Sequence, residues 1–305
     1  MRADSTIATK PCPLCGSQAV CERTLNDVGL VRCTACAFVY ADVDDKVIEQ
    51  ANFHFDEDLV ERYRGLQTWV DRYWFSGLAR RITRKTNVGR VLDVGCGNGL
   101  FLREFVRLGW DAYGIDPSPW AKQCAEGYQV YQSTLHEAAL PDDHFGAVMN
   151  TAVLEHVARP RAYVEEVIRV LKPGGCAYFN VPNYGSLAIR LGVSNFRSNI
   201  PPVHANFFTH KTLRAVFAPF ADRLAGVSIR SYGISQSYGA YVWLHRRLRR
   251  LVGGSKTPGR SSQAVGSGKS WRSVLAWFLG TTYYHAGRPL KLGDKLEAIV
   301  WKKGV

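Results

Sequence analysis

The chain has 305 residues, enough for one large domain and an appendage, and its composition (46% hydrophobic, 21% charged) is that of a globular protein. No apolar run reaches the ~18 residues of a membrane span and no secretory apolar segment opens the chain, so a cytoplasmic protein is expected, either free or peripheral at the inner face of a membrane. The net charge of +13, from 39 Lys and Arg against 26 acids, is unevenly placed: residues 236–305 hold 13 basic residues against Asp294 and Glu297, so +11 of it lies there. Such a basic stretch suits an anionic surface, whether lipid headgroups, nucleic acid or phosphorylated metabolites.

Cysteines come first along the chain. Cys12-Pro13-Leu14-Cys15 and Cys33-Thr34-Ala35-Cys36 give C-x2-C-x17-C-x2-C. Two thiolate pairs, each on a short turn, match a closed tetrahedral Zn2+ site, so a zinc-ribbon module is expected over residues 8–42, with disulfides as the alternative. Four thiolates leave no open position for water, which makes this zinc structural. A ribbon of about 30 residues has too little core to hold itself together, and the metal supplies that stability. Cys21, Cys96, Cys124 and Cys176 fit no pair and read as small core or loop residues.

Residues 46–86 are rich in aromatics and charges, with helical spacing in Leu59-Tyr63-Leu66-Val70 and Tyr73-Leu78-Ile82. Next comes Arg90-Val91-Leu92-Asp93-Val94-Gly95-Cys96-Gly97-Asn98-Gly99-Leu100, a buried strand running into three alternate glycines, followed by a helix from Phe101 that Gly109 stops. Strand, glycine turn and helix N-terminus form a ligand site, because glycines accept positive φ and the helix start presents free N–H groups. A dinucleotide fingerprint wants its third glycine where Leu100 stands. A second carboxylate follows in Tyr113-Gly114-Ile115-Asp116-Pro117-Ser118, about the ~20 residues on at which a strand-end carboxylate reaches ribose hydroxyls.

These motifs resemble the class I S-adenosylmethionine-dependent methyltransferases, in particular the ubiquinone-biosynthesis-type O-methyltransferase group, over residues 60 to 235 and the last strand. The later segments Leu140-Pro141-Asp142-Asp143-His144-Phe145-Gly146, Val153-Leu154-Glu155-His156-Val157 and Leu171-Lys172-Pro173-Gly174-Gly175 carry the resemblance further. Gly146 departs from it, since an aspartate is usual there, and Ser133-Thr134-Leu135 lacks the acidic residue often beside the adenine. The resemblance implies an S-adenosyl-L-methionine site made by Asp93, Gly95, Cys96, Gly97, Gly99, Asp116, Pro117, Ser118, Thr134, Leu135 and Thr151. It also implies cap helices before the first strand, from which an aromatic such as Tyr63 could cover the cofactor.

The residue pattern beyond the glycine turn alternates: strand Asp111–Ile115, a helix near Trp120–Glu126, strand Gln129–Gln132, strand Phe145–Asn150, helix Arg161–Leu171 and strand Cys176–Val181. That order predicts an α/β, Rossmann-like, doubly wound and mostly parallel sheet, with ligands at the strands' carboxyl ends. Asp294–Trp301 resembles the family's last strand and is expected to run antiparallel beside Val227–Ser231. The methyltransferase domain is then residues 46–235 and 291–305, interrupted by a basic amphipathic insertion at 236–290.

His156, after the fourth strand, is the candidate general base, with bracing of the loop as its alternative role. His204 is expected to line the pocket and His210 to sit on the surface, with Thr209 as a helix N-cap. Residues Tyr184–Pro201 read as an acceptor-binding insertion. In the basic part, Tyr238–Val252 places Arg246, Arg247, Arg249 and Arg250 opposite an apolar face, residues 253–270 read as a flexible linker, and Trp271–Gly280 suits a bilayer interface.

The expected activity is methyl transfer to an oxygen or carbon of a small-molecule, glycan or lipid-linked acceptor, with an anionic membrane surface as partner. An RNA methyltransferase that grips nucleic acid with the ribbon and basic segment is the alternative. The motifs of exocyclic-amine and cytosine-C5 nucleic-acid enzymes are missing: Asn150-Thr151-Ala152-Val153 stands where an N/D-P-P-Y/F run is needed, and the one Pro-Cys, Pro11-Cys12, lies in the ribbon.

Overall fold

Apolar residues on both faces of one run of strands oblige this chain to cover its sheet twice. The computed structural model describes residues 10–53, 69–84, 86, 89–124, 127–190, 201–232 and 291–304. Strands β1 (Ala19–Leu25), β2 (Val28–Cys33) and β3 (Val39–Ala41) form an antiparallel ribbon, followed by helices α1 (Asp45–Phe53) and α2 (Trp69–Thr83). Then come β4 (Arg90–Val94), α3 (Leu100–Arg107), β5 (Asp111–Ile115), α4 (Pro119–Cys124), β6 (Gln129–Tyr131), β7 (Phe145–Thr151), α5 (Pro160–Val170) and β8 (Leu171–Pro182). The described chain ends with α6 (Leu187–Arg190), β9 (Asn206–Phe207), α7 (His210–Phe217), β10 (Leu224–Tyr232) and β11 (Lys295–Lys302).

The main sheet has the order β10-β11-β8-β7-β4-β5-β6. Strands β8, β7, β4, β5 and β6 pair in parallel, and β11 runs antiparallel between β8 and β10. This is the mostly parallel, doubly wound sheet with an antiparallel last strand that the sequence predicts. Successive residues of each strand serve opposite cores, as the period of two requires. Leu92, Val148 and Phe179 join one apolar cluster with Val164, Val167 and Ile168 of α5. Val91, Met149 and Tyr178 join the other, with Leu78 and Ile82 of α2 and Phe101 and Phe105 of α3. Full burial of each such side chain stabilises the fold by about 1.5–3 kcal/mol.

Two local differences from the expected elements have physical causes. Helix α4 begins at Pro119, which suits the first helical turn because its missing N–H needs no partner there. Strand β8 begins at Leu171, ahead of Lys172-Pro173-Gly174-Gly175: Phe145 pairs with Leu171 and Ala147 with Cys176, so these residues loop out, with Gly174 at φ +74°. Gly146 lies beside Trp110, whose Cζ3 is 3.4 Å from where a Cβ would stand, an ordinary contact distance.

The ribbon is bonded to the main body. Val39 and Tyr40 of β3 pair with Phe207 and Asn206 of β9, and Phe38 packs on Phe208 with ring centroids 5.3 Å apart. Leu14, Val31, Phe38 and Tyr40 share the cluster that holds Leu213 and Val216 of α7.

Across the other face, Arg81 of α2 makes a two-pronged ion pair to Glu297 of β11 at 3.0 and 2.8 Å, with the carboxylate buried. Removing the carboxylate takes two charge-assisted hydrogen bonds from a guanidinium that stays partly in solvent. Glu297→Ala is expected to destabilise the protein by about 2 kcal/mol, lowering Tm by about 3 °C in a thermal melt.

The spacing Leu59–Leu66 with Tyr63, the middle of the expected insertion at Tyr184–Pro201, and the basic amphipathic stretch 236–290 lie outside the described residues. Among the described residues, no helix is long and apolar enough to cross a membrane.

Candidate functional site

The glycine turn sits at the carboxyl ends of β4 and β5. Gly95, Gly97 and Gly99 all take positive φ, at +70°, +50° and +73°, and Gly99 is the N-cap of α3. A Cβ on Gly95 would stand 2.8 Å from Val153 Cγ2, so only glycine lets this turn lie against the loop after β7. Gly95 N–H and Cys96 N–H both donate to Ile115 O, at 2.7 and 3.1 Å, which pins the turn to the end of β5.

Asp116 organises the neighbouring loops. Its Oδ2 accepts the Gly97 N–H at 3.0 Å and its Oδ1 the Ser118 N–H at 2.9 Å, with the Ser118 hydroxyl donating to Oδ1 as well. Its own N–H donates to Tyr131 O, and its carbonyl accepts from Ser133 N–H, so the backbone brings residues 133–135 beside it. Asp93 lies 3% exposed at the base of the turn. Burial, reinforced by the Asp116 charge, pushes its carboxyl well above the ordinary carboxylate range. Two buried acids so close together favour a cationic group between or beside them.

The other sequence-predicted residues fall into distinct positions. Cys96 turns its thiol into the sheet, where Sγ would lie 2.7 Å from a Cβ on Gly114, so only its backbone faces the turn. Thr134 is tied to Glu137 by its hydroxyl at 2.8 Å, while Leu135 is buried. Pro117 and Ser118 follow Asp116 directly, and Ser118 is buried. Thr151 ends β7 with its buried Oγ1 lacking any hydrogen-bond partner, an orphaned polar atom that a bound ligand would satisfy.

His156 lies on the loop after β7. Its Nδ1 is 2.9 Å from Val203 O, and a carbonyl can only accept, so Nδ1 carries a proton and, in the neutral ring, the lone pair falls on Nε2. His204 stands edge-on to it, ring centroids 4.6 Å apart, and burial pushes its pKa down to about 3. The loop is strongly braced: Glu155 O accepts from Ala205 N–H and Asn206 N–H, Asn206 Nδ2 donates to Leu154 O and Val157 O, and Asn52 Nδ2 donates to His156 O. Sequence reasoning missed Asn206, Asn52 and the Tyr163 hydroxyl, which donates to Asn150 Oδ1. A polar residue facing a loop some 50 positions away has no local signal. His210, expected on the surface, is half-buried with Nε2 3.3 Å from Ile229 O. Thr209 is the N-cap of α7, completing a reciprocal cap with Thr212.

The four cysteines of the ribbon converge. Sγ separations are 3.6 Å for Cys12–Cys36, 3.4 Å for Cys15–Cys33 and 3.6 Å for Cys15–Cys36. Disulfide sulfurs would be about 2.05 Å apart, whereas ligands ~2.3 Å from a tetrahedral zinc lie about 3.75 Å from each other. Burial raises the Cys12 and Cys36 thiols, Cys36 to about 11. At Cys15 burial is outweighed by hydrogen bonds from Ser17 and its cysteine neighbours, which lower it to about 6, so holding all four as thiolates needs a cation. The cluster can hold a metal ion.

Comparison with known proteins fits this geometry. Relatives named ubiquinone biosynthesis O-methyltransferase include one from Cereibacter sphaeroides, 43% identical over 94 residues, and one from Maricaulis maris, 29% identical over 154 residues. These matches cover 28% and 47% of this chain, which spans 38% and 60% of the relatives' lengths. A crystal structure of an S-adenosylmethionine-dependent methyltransferase from Archaeoglobus fulgidus shares the fold, with a TM-score of 0.52 and 20% identity over 81% of this chain and all of that one. A family model described as a methyltransferase domain matches residues 66–220, half of the chain. With the glycine turn, its two carboxylates and the parallel strands β4 to β8 all inside that match, the chain belongs to the methyltransferase-domain family.

Proposed function

We propose that the protein transfers a methyl group from S-adenosyl-L-methionine to an oxygen, or to a carbon, of a small-molecule, glycan or lipid-linked acceptor. The observation that carries this reading is the pair of buried carboxylates, Asp93 and Asp116, flanking three positive-φ glycines at the carboxyl ends of β4 and β5. Asp116 is assigned to the ribose hydroxyls, the turn Gly95, Cys96, Gly97 and Gly99 to the methionine end through its backbone, and Thr134 and Leu135 to the adenine side. Pro117 and Ser118 shape the loop beside the ribose, and Thr151 Oγ1 offers its unused hydrogen bond to the ligand. When bound, the cofactor supplies an electrophilic methyl on a sulfonium. What the chain does is align the acceptor and exclude water.

The relatives' names support oxygen as the methylated atom. For a hydroxyl acceptor a proton must leave, and His156, whose neutral ring would present Nε2 as the acceptor, is the residue assigned to that task. We assign Zn2+ to Cys12, Cys15, Cys33 and Cys36 as a structural ion. The basic segment 236–290 is assigned to docking on an anionic membrane surface.

Two experiments bear on this. Calorimetric titration of the purified chain with S-adenosylmethionine should give one equivalent bound, and a chain that binds none would end the reading. Sedimentation with vesicles rich in anionic lipid at low salt should pull the protein down, with release as salt rises. A protein left in the supernatant at low salt would remove the membrane assignment but not the methyl-transfer one.

A further inference from the structure

The loop after β7 and the segment before β9 bring Glu155, His156 and His204 together, one ligand atom from each lying within 4.8 Å of the others. Glu155 is 1% exposed, and its Oε2 has no hydrogen-bond partner. A buried carboxylate oxygen is strongly disfavoured unless a donor or a cation meets it. The imidazole of His156 is oriented by its Nδ1 proton on Val203 O, which is how a metal-bound imidazole is commonly fixed, leaving Nε2 as the ligating atom. His204 packs edge-on beside it, and the backbone of Glu155 is tied to Ala205 and Asn206, next to His204 in the chain. Three ligands are thus held by one short junction rather than by mobile side chains. Lys295 places a positive charge near Glu155 and His204, which opposes a cation, so the ion must be held by its three ligands against that charge.

We propose that Glu155, His156 and His204 bind a divalent transition-metal ion, at a site separate from the four-cysteine cluster. Two imidazoles and one carboxylate suit Zn2+, Fe2+ or Mn2+, and three protein ligands leave coordination positions open. Val153, two residues before Glu155, is the side chain against Gly95, so the loop that carries Glu155 and His156 also touches the glycine turn. The catalytic consequence rests on the methyl-transfer reading, with the bound ion taking over from His156 Nε2 the task of ionising the hydroxyl. An acceptor hydroxyl bound at an open position loses its proton to water at lower pH. Its oxygen then forms the new O–C bond as the C–S bond of the sulfonium breaks, leaving a neutral thioether.

The test counts metal on the full chain, produced in cobalt-supplemented medium and then titrated with Co2+ to saturation. Two equivalents are expected, one showing intense thiolate-to-cobalt charge transfer and one showing only weaker d–d bands. His204→Ala and Glu155→Gln should each drop to one equivalent while keeping the thiolate bands, which report that the fold is intact. A single equivalent in the wild-type chain, or two equivalents retained in both variants, would overturn the proposal. S-adenosylmethionine titration of the same samples checks the methyl-transfer reading separately: a chain that takes up two cobalt ions but no cofactor keeps the metal site and loses the reaction assigned to it.

Discussion

Asp116→Ala is expected to weaken S-adenosylmethionine binding by at least about 100-fold in a calorimetric titration. A hydrogen bond to a charged group is worth about 1.5–3 kcal/mol, so losing two to a ribose diol costs about 3 kcal/mol, which is that factor in affinity. The carboxylate also has a second task. It accepts from Gly97 N–H and Ser118 N–H, so removing it frees the glycine turn from the loop after β5 as well as from the ligand. Asp116→Asn keeps the shape and loses the charge, and should cost less, about 10-fold. The two variants together separate charge from packing. Unchanged affinity in Asp116→Ala would mean that the turn is not where the cofactor's ribose lies.

The second large effect concerns the ribbon. Stripping the metal from the four cysteines, or the substitution Cys15→Ser, is expected to destabilise the whole chain by about 3 kcal/mol or more, lowering Tm by about 5 °C. Cys15 is exposed, so serine there removes one of the four sulfurs assigned to the ion and almost no packing. The effect should not stop at the ribbon, because β3 pairs with β9 and Phe38 sits on Phe208. From β9 the chain of contacts continues through Ala205 and Asn206 to Glu155 and the His156 loop. Loss of the ribbon should therefore lower methyl transfer before the main sheet melts. A melt that is the same with and without chelator would show that the four sulfurs hold nothing.

Most of the main sheet was legible because its signals are local. Val91-Leu92 before three glycines, and the apolar runs at 145–150 and 176–181, announce strands buried on two faces, and the spacing Val164-Val167-Ile168-Leu171 announces the helix between them. The last strand was placed because it resembles its family and because Val227–Ser231 offered a partner, and β11 pairs there and with β8 too. The ribbon's cysteines were legible by spacing alone. Its attachment was not, since β9 is two residues long and no periodicity marks so short a strand. The same limit hid Asn206 and the meeting of Glu155 with His204, which are 49 positions apart. His210, read as a surface residue, is partly exposed, and its bond to Ile229 O of β10 had no signal in the sequence.

The measurement that bears most directly on the assigned reaction is methyl transfer from labelled S-adenosylmethionine into a host extract, followed by partition into lipid, polar-metabolite and nucleic-acid fractions. Label entering the lipid or polar-metabolite fraction, and disappearing with Asp116→Ala, is the predicted result. Label confined to nuclease-sensitive material, or no label from a chain that binds the cofactor and is given every fraction, would contradict it.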